Sequence, residues 1–193
     1  ACRAGILGSF PSPNARSTDD LEAWLKEITA AVDPATDAAW AINLMMHRSN
    51  TRRMDDLELA VKYRAPLVIS ALGSPREAVE AVHGYGGKVY ADVINTEFAR
   101  KAIDSGVDGL VLVAAGAGGH TGQLSGFAFV EEVRQFWSGD IVLGGGIVSG
   151  RGIRAAEVLG LLERGGVTRL GISAYTSKED VDLVVAAFGR LER

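Results

Sequence analysis

The stretch VLVAAGAGGHTGQLSGF, residues 111–127, runs from apolar residues into a set of glycines and then a histidine. Gly116, Gly118 and Gly119 carry no side chain, so a ligand can come against the backbone, and successive N–H groups in such a loop form a concave anion site. His120 is the titratable residue among these glycines. At the edge of a bound ligand an imidazole can donate, accept or carry a proton near neutral pH. A second bare stretch, LGGGIVSG, sets Gly144, Gly145 and Gly146 after another apolar run, and LGIS repeats the pattern more weakly around Gly171 and Ile172. One such cluster is ordinary turn punctuation, whereas two at the ends of consecutive strands point to a phosphate or cofactor cradle. The dinucleotide fingerprint is not met, because the frame opened at Gly116 reaches Thr121 where its last glycine belongs. His47 and His83 lack this glycine context, and His83 is expected at a helix end as a solvated cap.

Positioning such residues requires strands that deliver them to one edge. Short apolar or β-branched runs recur along the chain: AGILGSF, WAINLMM, APLVISAL, GKVYADVI, DGLVLVAA, DIVLGGG and VTRLGIS. Between them lie segments with helical periodicity, among them DDLEAWLKEITAAV, PREAVEAVHGYG and NTEFARKAIDSG. Pro75 suits a first helical position and Gly106 a helix end. Near-continuous hydrophobic strands belong to a parallel sheet covered by helices. Seven β-α units in succession fit an α/β fold of the (β/α)8 TIM-barrel type, one strand short of eight, and in such barrels the carboxyl ends of the strands carry the site. No linker or low-complexity stretch divides residues 1–193, which read as one barrel domain. The chain opens on Ala1 rather than Met, which suggests that the numbering begins inside a longer protein whose first strand precedes it.

Composition narrows the partners. A chain 47% hydrophobic, with formal net charge −4 and its acids and bases interspersed, offers neither a basic stripe for nucleic acid nor a polybasic membrane patch. A small-molecule partner is favoured, and the oligomeric state stays open. The lone Cys2 excludes an internal disulfide framework or a cysteine metal cluster and favours a reducing, cytoplasmic setting. No apolar run reaches the roughly 20 residues of a spanning helix.

The segment DGLVLVAAGAGGHTGQLSGFAFVEEVRQFWSGDIVLGGGIVSGRGIRAAEVLG resembles the later barrel strands of the nitronate monooxygenase family, formerly called 2-nitropropane dioxygenases. The likeness extends more faintly through ACRAGILGSF, AINLMMHRSN and GKVYADVINTEFARKAIDSGV. It implies a β/α barrel that holds FMN non-covalently and oxidises nitronates or nitroalkanes with molecular oxygen. By the same resemblance the catalytic histidine falls on His120, and the flavin contacts fall on Asn43, Gly118, Gly119, Gly145, Gly146, Gly171 and Ile172. Asp92, ending the run GKVYAD, is a further expected neighbour of the flavin, with capping of the next helix as its structural alternative. The chain departs from the family pattern at Val113, where many members have glutamine, and at Ile172, where they have threonine. It also lacks the family's first strand and C-terminal region. Two other readings remain: a flavin-dependent enoyl-thioester reductase, with a similar barrel and glycine loops, and a non-catalytic flavin- or phosphate-binding barrel remnant.

Overall fold

The computed structural model describes residues 1–118, 121–145 and the backbone of 167–168. Strands alternate with helices: β1 (Gly8–Pro11), α1 (Thr18–Ala31), β2 (Trp40–Met45), α2 (Arg53–Lys62), β3 (Leu67–Ala71), α3 (Arg76–His83), β4 (Lys88–Val93), α4 (Thr96–Asp104), β5 (Gly109–Val113), α5 (Gly126–Arg134), β6 (Asp140–Gly144) and β7 (Val167–Thr168). Each strand falls within one of the seven apolar runs, except that β1 extends one residue past its run to Pro11. Among the described residues, no helix is long and apolar enough to cross a membrane.

The chain divides into two compact units, Ala1–Val93 with Glu97–Leu110, and Ile94–Thr96 with Val111–Arg193. In the first, β1, β2, β3 and β4 pair in sequence order and all in parallel. The register sets Phe10 beside Ile42, Ile42 beside Val68, and Val68 beside Val89. Paired residues share a face of a sheet, and the Phe10 ring meets Trp24 of α1 edge-on at 6.1 Å. This layer, with the buried Leu44 and Ser70 two residues further along, is therefore the one the helices cover. The opposite face carries Asn43, Ile69 and Tyr90 in one row. Asp92, two residues past Tyr90, lies on that face as well.

Helix ends follow the local sequence. Ser17 and Asp20 form a capping box at the start of α1, each side chain taking the other's backbone N–H. Gly106 closes the turn after α4 with φ +87°, a left-handed conformation that favours glycine. Pro75 stands one position before the first helical residue of α3, as its N-cap. His83 ends α3 as expected and is exposed, and it also has a partner. Its Nε2–H donates to Asp108 Oδ2 at 2.8 Å, and the same oxygen accepts the Val89 N–H at 2.7 Å, so the imidazole helps join α3 to the start of β4.

Gly109, the first residue of β5, is explained by its neighbour. A Cβ there would come within 2.6 Å of the Tyr90 ring, so the bare backbone is what the phenol lies against. In the second unit, β6 and β7 are parallel, and the Ala114 N–H just past β5 donates to the Gly144 carbonyl of β6 at 2.8 Å. α5 buries Phe129, Val130 and Val133, and at its first residue, Gly126, a Cβ would meet the Leu143 side chain at 3.1 Å.

Candidate active site

In the first unit the carboxyl ends of β2, β3 and β4 bring together residues far apart in sequence. Asn43 is buried on β2, and its Nδ2 donates to Asp92 Oδ2 of β4 at 3.1 Å, reaching across β3. That bond orients the carboxamide: the amide nitrogen donates to the carboxylate, while Oδ1 has no partner among the described residues. Asp92 gives one carboxylate oxygen to Asn43 from within the strand.

The loop after β2 is pinned to this edge. Met46 N–H donates to the Ala71 carbonyl at 2.8 Å, and Asn50 Nδ2 donates to the Met45 carbonyl at 2.9 Å. Asn50 Oδ1 in turn accepts the Arg52 N–H at 3.1 Å. Arg52 donates to the Ala15 and Ser17 carbonyls at 2.9 and 3.3 Å, and its guanidinium pairs with Asp56 at 3.0 Å. Asp56 is buried, and its second oxygen accepts the buried Ser12 hydroxyl at 2.7 Å. The loops following β1 and β2 are thus tied through one buried carboxylate. The loop after β3 closes over the same backbone: a Cβ on Gly73 would sit 2.5 Å from the Met46 carbonyl oxygen, and the preceding Leu72 is exposed with φ +60°. A non-glycine residue held left-handed is strained, and such strain gathers at functional edges.

In the second unit the two glycine-bearing strand ends meet. The loop after β5 turns back on itself: Ala117 N–H donates to Ala114 O at 3.2 Å, Ala115 N–H to Leu124 O at 2.8 Å, and the Thr121 hydroxyl to Ala114 O at 3.0 Å. Gly116 turns with φ +87°. Gly145 follows β6 with φ +110°, and a Cβ on it would lie 2.6 Å from Ala117 N and 2.9 Å from Ala114 O. Its bareness is required by the packing of one loop on the other strand end, independently of any ligand. Gly118 differs: among the described residues a Cβ there would meet nothing within 4 Å, so these leave the backbone of the β5 loop open at this residue.

Of the residues singled out in the sequence, Asn43 and Asp92 are brought into contact, Gly118 is left open by the described residues, and Gly145 is a packing position. Gly119, His120, Gly146, Gly171 and Ile172 lie outside the described residues. Sequence reasoning passed over His47, which stands on the pinned loop two residues past β2. Its signal was the neighbouring Ser49, spaced to hold one ring nitrogen. Among the described residues, no group of acidic, histidine or cysteine side chains is arranged to hold a metal ion.

Comparison with known proteins places this arrangement. A curated Mycobacterium tuberculosis protein named as a monooxygenase is 39% identical over 106 residues, which are 54% of this chain and 28% of that protein. FabK from Thermotoga maritima superposes with a TM-score of 0.73 at 24% identity, covering 88% of this chain and 51% of that one. The nitroalkane oxidase of Streptomyces ansochromogenes gives a TM-score of 0.73 at 19% identity, over 88% of this chain and 59% of that one. The chain thus spans little more than a quarter of the curated relative and about half the length of these structures. The structural likenesses establish the fold as α/β of the TIM-barrel type. The nitronate monooxygenase family model matches residues 4–162, most of the sequence, and the chain belongs to the nitronate monooxygenase family.

Proposed function

We propose that this protein is an FMN-dependent oxidoreductase that oxidises alkyl nitronates or nitroalkanes with molecular oxygen, its 193 residues serving as one FMN-binding barrel domain. The observation that carries the reading is the folded β5 loop, held against the end of β6 through Gly145, with the Gly118 backbone left open by the described residues. Glycine-lined backbone after late barrel strands is a recurrent phosphate cradle. Each unit by itself offers a feature suited to a flavin: in the second, the Gly118 backbone is open among the described residues, and in the first, Asn43 Oδ1 has no described partner while Asp92 orients its amide. Gly145 is a further contact that the family resemblance implies. Gly119, Gly146, Gly171 and Ile172 complete the proposed contacts. The lone cysteine supports a cytoplasmic setting for this enzyme.

FMN, when bound, supplies the redox chemistry that no side chain of this protein can. The protein contributes binding and proton control. His120, at the end of the glycine loop, either donates a hydrogen bond to the nitro group or removes the α-proton of a neutral nitroalkane. The visible spectrum of the purified chain, followed by oxygen consumption with ethylnitronate, tests the reading. Flavin absorption with nitronate-dependent oxygen uptake is expected. Flavin absorption with NADPH oxidation and loss of an enoyl-thioester absorbance, but no nitronate turnover, would assign the reductase activity instead. That second reading draws on the fold shared with FabK. Flavin without turnover of either substrate would leave a binding protein.

A further inference from the structure

Outside the residues already assigned, His47 is placed for chemistry and given none. It is exposed, two residues past the last residue of β2, on the sheet edge that carries Asn43 and Asp92. Its Nδ1 accepts the Ser49 backbone N–H at 3.2 Å and lies 2.7 Å from the Ser49 hydroxyl. A backbone N–H can only donate, so Nδ1 is the acceptor and the ring proton of the neutral imidazole sits on Nε2. That Nε2–H has no acceptor among the described residues. Neither has the guanidinium of Arg48, the next residue, which is also exposed.

The backbone under this donor is fixed from several sides. Asn50 N–H donates to the His47 carbonyl at 2.9 Å, the Asn50 carboxamide grips Met45, and Gly73 packs so closely that a Cβ would lie 3.0 Å from His47 N. An exposed histidine that merely covers surface has no need of a locked tautomer on a clamped loop. A donor of fixed direction beside an unpaired positive charge suits an oxyanion, because it spends no further ordering entropy when the ligand arrives.

We propose that His47 is a substrate-positioning residue, its Nε2–H donating to an anionic oxygen of a substrate bound at the carboxyl edge of β2 and β4, a role that rests on the flavin-dependent reading above. The role differs from that of His120, since His47 supplies orientation and no proton transfer.

The test begins with the imidazole 15N resonances of the whole chain, titrated with sodium nitrate as a planar, unreactive oxyanion. His47 should show a protonated Nε2 and an unprotonated Nδ1, and nitrate should shift the Nε2 signal saturably. The His83 ring, already engaged by Asp108, should not respond. In turnover, His47→Phe should raise KM for ethylnitronate about tenfold, the worth of one hydrogen bond to a charged group, with kcat changed less than about twofold. His47→Gln, which keeps an amide donor, should restore KM to within about threefold of the parent value. Flavin content should be the same in all three proteins. A proton on Nδ1, a His47 signal indifferent to nitrate, or an unchanged KM in His47→Phe would each overturn the assignment. Should the parent chain turn over no nitronate, the proposed function fails, and the nitrate titration still decides the role of His47 as an oxyanion donor.

Discussion

Gly145 and Gly118 separate a glycine that packing requires from one proposed here to face a ligand. A Cβ on Gly145 would approach Ala117 N to 2.6 Å, Ala114 O to 2.9 Å and Ala115 O to 3.1 Å, all of them backbone atoms that cannot rotate away. Its φ of +110° adds conformational strain for any other residue. Strain in a sparsely populated region costs about 1–3 kcal/mol. Overpacking adds about 1–3 kcal/mol more. Gly145→Ala should therefore lose roughly 2–6 kcal/mol, a large share of the roughly 5–15 kcal/mol that holds a typical domain folded. Among the described residues Gly118→Ala meets no atom within 4 Å and no positive φ, so it should stay within about 0.5 kcal/mol of the parent protein. Urea unfolding of the flavin-free proteins measures both values, and visible absorbance after reconstitution measures flavin occupancy. Gly118→Ala should unfold with the parent yet hold less flavin, whereas Gly145→Ala should unfold earlier even with no flavin present. A Gly145→Ala protein as stable as the parent would refute the packing argument. Full flavin occupancy in Gly118→Ala would refute the reading of its open face as ligand space.

Further expectations concern catalysis, the buried network and alkaline stability. His120→Ala should keep FMN while turnover of neutral nitroalkanes falls about a hundredfold or more, with nitronates less affected if proton removal is the role; unchanged steady-state rates on both substrate forms would remove His120 from the mechanism. Arg52→Met leaves the buried Asp56 carboxylate with the Ser12 hydroxyl and without its cation, and should destabilise the fold by about 3 kcal/mol in chemical denaturation. Burial pushes the Tyr85 phenol up to about 12, against the opposing charge of Arg64, and its hydroxyl donates to Ala65 O at 2.8 Å. An unfolded tyrosine releases its proton near pH 10, so this contribution is fully present below about pH 10 and is lost as the pH rises toward about 12. Tyr85→Phe should cost about 1 kcal/mol at neutral pH through the lost hydrogen bond and flatten the alkaline decline seen by thermal unfolding.

The amino-acid sequence by itself determined the alternation of elements, because strand and helix periodicities are local properties of the chain. All seven apolar runs contain strands, and Ser17 and Gly106 mark a helix start and a helix end through chemistry confined to a few neighbouring residues. The glycine clusters were visible in the same way, as compositional breaks at strand ends. Their separate purposes were not, since nothing local distinguishes Gly145, crowded by the Ala114–Ala117 backbone, from Gly118, which the described residues leave open. The same limit hid the reason for Gly109, which lies in the placement of the Tyr90 ring on the adjoining strand. Asn43 and Asp92 could be named from the family resemblance, but the bond between them depends on the parallel register of β2, β3 and β4. His83 is the exposed helix end that the sequence indicated, but its partner Asp108 comes only with the fold. For His47 the tautomer rests on the nearby Ser49, and its place at the carboxyl edge of the sheet on where β2 ends. Periodicity acts over a few residues and is written in their order, whereas these pairings join side chains tens of residues apart and exist only once the sheet has set its register.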